Sequence, residues 1–525
     1  MEGIMGIFIN LDVAYNVSDD EWEPVYEESL YLAKKFKLMD FHELELFGDQ
    51  LYCGVPVEEQ AEADERFWST IGDYETMGRA EYQRLYRKLG NYQSEQETGK
   101  CYDPLLSIAL SQTMLDWEDE RCRNCYSFWG NKTQGEAYHM YLLAIGCMIE
   151  SRLNGKACVS GDITLGQCRK AVDLANQYLR EPIGLPVQCD LEHLYRRIRA
   201  LPLKGAEPLN VLQRLYLGKM DRDYGEFVNT HFSKEERIEF WRREFEHLRI
   251  GTIGFSSSLK EYFNLGNDLE ELCDIVNLSD EEGKKDYDGF IKEIMSTNLY
   301  LEDKDLRDCL EIDRESESPY TIYTLMAQFA FAGAANYSVD AYMPIEKIRE
   351  ILCRKFGGLC DVPNIIDEYM KNKEEDKEEN PPGILNDFID TAEKNIERDL
   401  QSYDICEIRD LLYYEPGDKL KPVLEETCIK YITFYKKVCE EEHFADLMKK
   451  SSEDKCAFLV HQNKYLFLMK NRWFEIFDEI KENPECFRRY YPMVRVKLDD
   501  TSCWLVYAYV VNDDFYRYCE EMQER

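Results

Sequence analysis

Positive charge is what this chain has too little of. Lys and Arg total 64 against 103 Asp and Glu, a formal net charge of −39 over 525 residues. A nucleic-acid binder gains affinity by neutralising phosphates with Lys and Arg, so this balance argues against one. An anionic membrane surface is disfavoured for the same reason. Histidine is also scarce, at seven, and the seven form no H-x-x-x-H or H-E-x-x-H pair. Phosphate-cradling loops are missing, with no G-x-x-x-x-G-K-S/T and no G-x-G-x-x-G behind a strand, and there is no G-x-S-x-G elbow to carry a nucleophilic serine. The start, Met1-Glu2-Gly3-Ile4, has no basic stretch leading into an apolar one, so no export or transit signal is read there. The 19 cysteines are odd in number and scattered singly, which reads as reduced thiols behaving as small buried hydrophobes. The expected setting is cytoplasmic.

Long apolar runs are few. Ser318 to Val339 carries no charge and is long enough to cross a bilayer. It also holds Thr321, Thr324, Gln328, Asn336 and Ser338, is flanked by acids, and has no Lys/Arg cluster to orient it. A buried central helix is the better reading.

What is present is material for a core: 44% apolar residues and 13% aromatic, with 36 tyrosines. The fold expected is α+β and predominantly α-helical, with a small N-terminal β-α-β-β unit, a large helical middle and a C-terminal α+β unit containing a β-hairpin. Gly6 to Val13 alternates like a strand. Ser18 and Glu21 make a capping-box signature ahead of the helical spacing of Trp22, Val25, Tyr26 and Ser29. Phe41 to Phe47 and Leu51 to Val57 flank a Gly48-Asp49 turn and predict a hairpin. A helix is expected around Gly78 to Leu89 within an otherwise polar stretch. The N-terminal unit is thus taken as 1–100 and a mainly helical central domain as 101–370. That domain includes helices at Glu118 to Trp129 and Gly135 to Leu153, and a short strand at Ala157 to Ser160 before a Thr164 cap. Lys371 to Asn380, followed by Pro381-Pro382-Gly383, reads as an acidic linker over 371–383. The C-terminal domain, 384–525, is expected to place a hairpin over Val494 to Val511.

Chemistry-bearing constellations are thin. Cys122-Arg123-Asn124-Cys125 is the one C-x-x-C. A zinc site needs four ligands and no second pair follows, so Cys122 and Cys125 are weak metal candidates, and two thiols on one helix is the plainer reading. No cofactor is implied. The most site-like patch pairs Gly130 to His139 with Ser160 to Gln167, because ligands bind where strand ends meet helix N-termini in open α/β sheets. His139, Asp162 and Gln167 are the catalytic candidates; a core histidine, a turn residue and a cap are the structural readings of the same three. Tyr413-Tyr414 and Tyr490-Tyr491, the latter behind Arg488 and Arg489, can build a recognition surface.

The Gly6-Ile-Phe-Ile-Asn-Leu-Asp12 opening with its Trp22-containing helix, the Trp129-Gly-Asn-Lys-Thr-Gln-Gly135 stretch and Gly161-Asp-Ile-Thr164 resemble an uncharacterised family of cytosolic bacterial proteins. The resemblance spans the first two-thirds of the chain. It implies a bacterial cytoplasmic setting and brings no activity, cofactor or catalytic residue.

Three functions remain in view. The first is a non-catalytic interaction or regulatory protein, of immunity, inhibitor or defence-associated type, whose acidic surface binds a protein partner rather than nucleic acid or membrane. The second is an enzyme with a pocket near His139, Asp162 and Gln167. The third is a DNA mimic, whose carboxylates would form one continuous stripe.

Overall fold

The computed structural model describes residues 6–62, 65–92, 103–111, 125–279, 283–302, 339, 341–379, 403–496 and 500–524. The chain forms a predominantly helical α+β protein. It divides into two compact units, one of Met1–Leu38 with Val57–Asn380, the other of Met39–Pro56 with Pro381–Arg525.

In the first unit β1 (Ile9–Ala14) is the centre of a three-stranded antiparallel sheet, between β7 (Cys125–Trp129) and β8 (Ala157–Gly161). Alternation turns Ile9, Leu11 and Val13, each 0% exposed, into a core shared with three helices. Burial of each such side chain contributes about 1.5–3 kcal/mol. The helices are α1 (Asp19–Lys35), α3 (Tyr138–Arg152) and α4 (Leu165–Asn176). The Ser18–Glu21 capping box forms: Glu21 N donates to Ser18 Oγ (3.3 Å) and Ser18 N to Glu21 Oε2 (3.0 Å). Helix α3 is apolar all round because it is enclosed, with Leu142 to Ile145 at 0% exposure. Gly146 lets it approach β8: a Cβ there would sit 2.7 Å from Val159 Cγ2.

Strands β4 (Gln60–Glu62), β5 (Glu65–Asp73) and β6 (Arg79–Tyr86) make an antiparallel ribbon in the same unit. Here the expected helix at Gly78 to Leu89 is corrected to strand. Buried Gln83 and Leu85 alternate with half-buried Tyr82, Arg84 and Tyr86, a period of two. The expected helix at Glu118 to Trp129 is likewise corrected, since Cys125–Trp129 is β7; Glu118 to Asn124 lies outside the described residues. Short helices then surround a second apolar cluster: α2 (Pro104–Ser111), α5 (Leu191–Arg199), α6 (Glu207–Leu215), α7 (Arg222–His231), α8 (Lys234–Glu246), α9 (Ile253–Asn264), α10 (Leu269–Ile275) and α11 (Tyr287–Ser296). Ile345–Phe356 and Val362–Glu379 complete it. Cys158 of β8 belongs to this cluster while Val159 belongs to the first, so the sheet is packed on both faces.

The linker expected over 371–383 is helical through Glu379. Lys and Glu are good helix formers, no Gly or Pro interrupts before Pro381, and Lys373 Nζ is tied to Tyr300 Oη at 2.9 Å. Ser318 to Ser338, read as a buried helix, and the first residues of the expected C-terminal domain, 384–402, lie outside the described residues. Among the described residues no helix is long and apolar enough to cross a membrane.

In the second unit β2 (Leu38–Leu46) and β3 (Asp49–Pro56) form the expected hairpin, Leu46 facing Asp49. The turn residues are Phe47 and Gly48, at φ 55° and 82°, one position earlier than the sequence suggested. Strand β9 (Leu468–Met469) pairs parallel to β3. The hairpin expected over Val494 to Val511 is corrected: Tyr491–Arg495 is a short 3₁₀ helix and Asp500–Val511 an α-helix. Leu505 to Val510 are all buried, so the run has no exposed face from which a period can be read.

Candidate functional site

The two segments singled out by sequence converge on the residues just before β1. Thr133 N and Oγ1 both donate to the Ile7 carbonyl (2.7 and 3.1 Å), and Thr133 Oγ1 is bonded to His139 Nδ1 (2.7 Å). Asp162 clamps the next residue, its Oδ2 accepting from Phe8 N (2.8 Å) while its own N donates to Phe8 O (3.0 Å). Gln167 Oε1 accepts from Thr164 N (2.9 Å), and Thr164 Oγ1 accepts from Gln167 N (3.1 Å), a second capping box that starts α4.

Asp162 therefore holds backbone, Gln167 caps a helix, and His139 holds the Thr133 hydroxyl that in turn bonds the Ile7 carbonyl. His139 is 0% exposed, and its Nε2 is buried without a hydrogen-bond partner. Burial pushes its pKa down to about 4, opposed in part by the nearby Asp162 backbone, so the ring is neutral at physiological pH. Burial raises the Asp162 carboxyl, with the Phe8 N–H pulling the other way. The surrounding sheet is antiparallel, so the strand-end argument for parallel sheets has no crevice to act on here. Cys125 opens β7, and Cys122 lies outside the described residues. Among the described residues no group of three His, Cys, Asp or Glu could hold a metal ion.

Sequence reasoning missed Asp12. It sits on the central strand, on the face opposite Leu11 and Val13, level with Cys158 of β8 and Ser127 of β7. Asn10 is two residues before it, level with Ser160. Burial raises the Asp12 carboxyl from 3.8 to about 7, and among the described residues no cation or donor offsets that. The available signal was alternation itself: a polar residue at every second position of a strand marks its other face.

A thiol row was also missed. Cys147 on α3, Cys168 on α4 and Cys189 in the turn after Pro186 hydrogen-bond in series, and each thiol is pushed up. Their neighbour Glu150 is spent on the backbone, accepting from Val159 N (2.9 Å) and Val187 N (2.8 Å). Thiols held protonated in this way are inert packing groups. A small, partly open cavity of about 10 Å³, lined by Leu209, Tyr224, Val228 and Trp241 among others, has room for about one water.

In the second unit the surface of the β2–β3 hairpin stands out. Phe41 and Tyr52 stack with ring centroids 5.3 Å apart and planes at 23°. They are 44% and 46% exposed. Register puts Glu43 directly opposite Tyr52 and Glu45 opposite Gln50, on the same face, and both glutamates are exposed. Gly54 opposite Phe41 lies over Met469 Sδ, leaving an apolar floor beside the rings. The tyrosines the sequence proposed for a surface divide: Tyr413 is 53% exposed, whereas Tyr414, Tyr490 and Tyr491 are buried.

Comparison with known protein families, with curated proteins and with solved structures finds no match to this chain.

Proposed function

We propose that this chain is a non-catalytic binding protein that engages a basic segment of a protein partner through the exposed face of its β2–β3 hairpin. The stacked, solvent-facing Phe41–Tyr52 pair, with Glu43 across from Tyr52 and Glu45 next along the same face toward the turn, is the observation that carries this reading. Exposed aromatic rings cost solvation, and a cation laid over their faces recovers attraction of about 0.5–1 kcal/mol or more per contact. The two carboxylates supply the counter-charge, and the wider surplus of acid steers a basic partner toward the molecule. The commitment of Asp162 and Gln167 to backbone bonds, and of His139 to the Thr133 hydroxyl, supports a binding role over catalysis by those three groups.

The test is binding of a fluorescent Arg-rich peptide to the full chain. Phe41→Ser with Tyr52→Ser, or Glu43→Gln with Glu45→Gln, is expected to weaken binding about tenfold. The charge-matched pair Glu453→Gln with Glu482→Gln, on exposed helix positions of the same unit, is expected to change it less than about twofold. Equal losses in both pairs would reduce the effect to bulk charge and remove the hairpin from the account. Tight binding of a duplex oligonucleotide would contradict the reading outright.

A further inference from the structure

Register fixes the order of groups along the exposed face of the β2–β3 hairpin. Phe41, Glu43 and Glu45 of β2 alternate onto one side, and Gly54, Tyr52 and Gln50 of β3 stand directly across from them. Phe41 and Tyr52 are diagonal neighbours, and their rings stack at 5.3 Å between centroids. The two ends of this stack differ. At the Phe41 end, the space over Gly54 is filled by Met39, Phe467 and Met469, all apolar. At the Tyr52 end, Glu43 lies straight across the ribbon and Glu45 one step nearer the turn, both exposed. Directly opposed residues have Cβ atoms about 4.5–5.5 Å apart, so a group laid on the Tyr52 ring is within reach of the Glu43 carboxylate. Tyr52 Oη donates to Gln50 Oε1 (3.2 Å), which ties the ring to its own strand and spends its proton inside the hairpin.

We infer that the Tyr52 end of the hairpin holds one arginine side chain of the partner, selects it over lysine, and releases it when that arginine is methylated. This rests on the hairpin reading above and adds which residue is recognised. A guanidinium is flat, so it lies face to face on a ring while its edge presents paired N–H donors to a carboxylate. A lysine ammonium is a compact, strongly hydrated point charge with no plane to stack. The arginine stem runs back over Phe41 toward the apolar end, where its methylenes leave water. The chain makes a like arrangement within its first unit: the Arg84 guanidinium carbon lies 3.8 Å from the Phe67 ring centroid, while Nε and Nη1 donate to the hydroxyls of Tyr82 and Tyr86. Asymmetric dimethylation keeps charge and plane but replaces N–H donors with methyl groups, so the fork to Glu43 is lost.

The experiment is fluorescence anisotropy of the full-length chain with labelled peptides that share a Lys-Gly-Ser framework and differ at one central residue: arginine, lysine, citrulline or asymmetric dimethylarginine. Arginine is expected to bind about fivefold or more tighter than lysine. Citrulline, flat but uncharged, and dimethylarginine, charged but without its fork, are expected to bind no tighter than lysine. Tyr52→Leu or Glu43→Gln, each at an exposed position, is expected to shrink the arginine preference below about twofold. Equal affinities for arginine and lysine, both weakened by Glu43→Gln, would overturn the arginine assignment and leave the hairpin reading standing. An arginine preference unchanged in Tyr52→Leu and Glu43→Gln, or no binding of any peptide, would remove the hairpin reading and this inference with it. Dimethylarginine binding as tightly as arginine would overturn the fork to Glu43 and with it the proposed release.

Discussion

Replacing Asp12 by Asn should make the first unit more stable at alkaline pH and leave it nearly unchanged in acid. The folded carboxyl titrates at about 7 against an ordinary value of 3.8. Between those two values the folded state holds the proton more tightly than the unfolded chain, so wild-type stability falls as pH rises through that window. Above about 7 the loss is complete and constant. At roughly 1.4 kcal/mol per pH unit the ceiling is about 4 kcal/mol. Half-burial lets solvent screen the charge, so about 2 kcal/mol is the expected gain for Asp12→Asn near pH 8.5. Asparagine matches the protonated carboxyl in shape, so the two proteins should agree within about 0.5 kcal/mol near pH 4. Hydrogen exchange of the β1 and β8 amides, corrected for intrinsic rates, reads the opening free energy of this sheet without interference from the second unit. Parallel pH profiles for the two proteins, or a variant less stable in alkali, would refute the reasoning.

His139 should act with the opposite sign: its folded pKa of about 4 lies below the ordinary 6.5, so stability is full above 6.5 and is lost as pH falls toward 4. The loss has a ceiling of about 3 kcal/mol and should vanish from the acid limb of urea unfolding in a His139→Gln variant. Gly161→Ala should cost more than about 2 kcal/mol by urea unfolding, because φ is +114° and the new Cβ would meet the Phe8 carbonyl oxygen at 2.6 Å. Thr164→Ala should cost about 1 kcal/mol by removing the α4 cap, and Thr164→Ser should restore most of it.

Short-range chemistry was legible in the sequence. Ser18 with Glu21, and Thr164 as a cap, are local hydrogen-bond instructions, and both appear as read. The β2–β3 hairpin also follows its alternation and glycine turn. Long-range enclosure erased the signal elsewhere. Leu505 to Val510 are buried in succession, and β6 was hidden by polar residues that pack as a sheet face. Lys371–Glu379, read from its charge as part of a linker, is helical, because its residues are good helix formers and Lys373 has Tyr300 and Asn298 to hold. Of the polar residues that drew attention, Asp162 and Gln167 serve the backbone and His139 the Thr133 hydroxyl. Asp12 drew none because it sits in an apolar-looking strand, and only pairing with β7 and β8 reveals which face of the sheet it takes.

The most direct test of the binding account is amide hydrogen exchange of the full chain with and without a saturating Arg-rich peptide. Slowed exchange confined to residues 38–56 and the adjoining Phe467–Met469 is the predicted result. Protection spread over the acidic surface, or none along the hairpin, would contradict it.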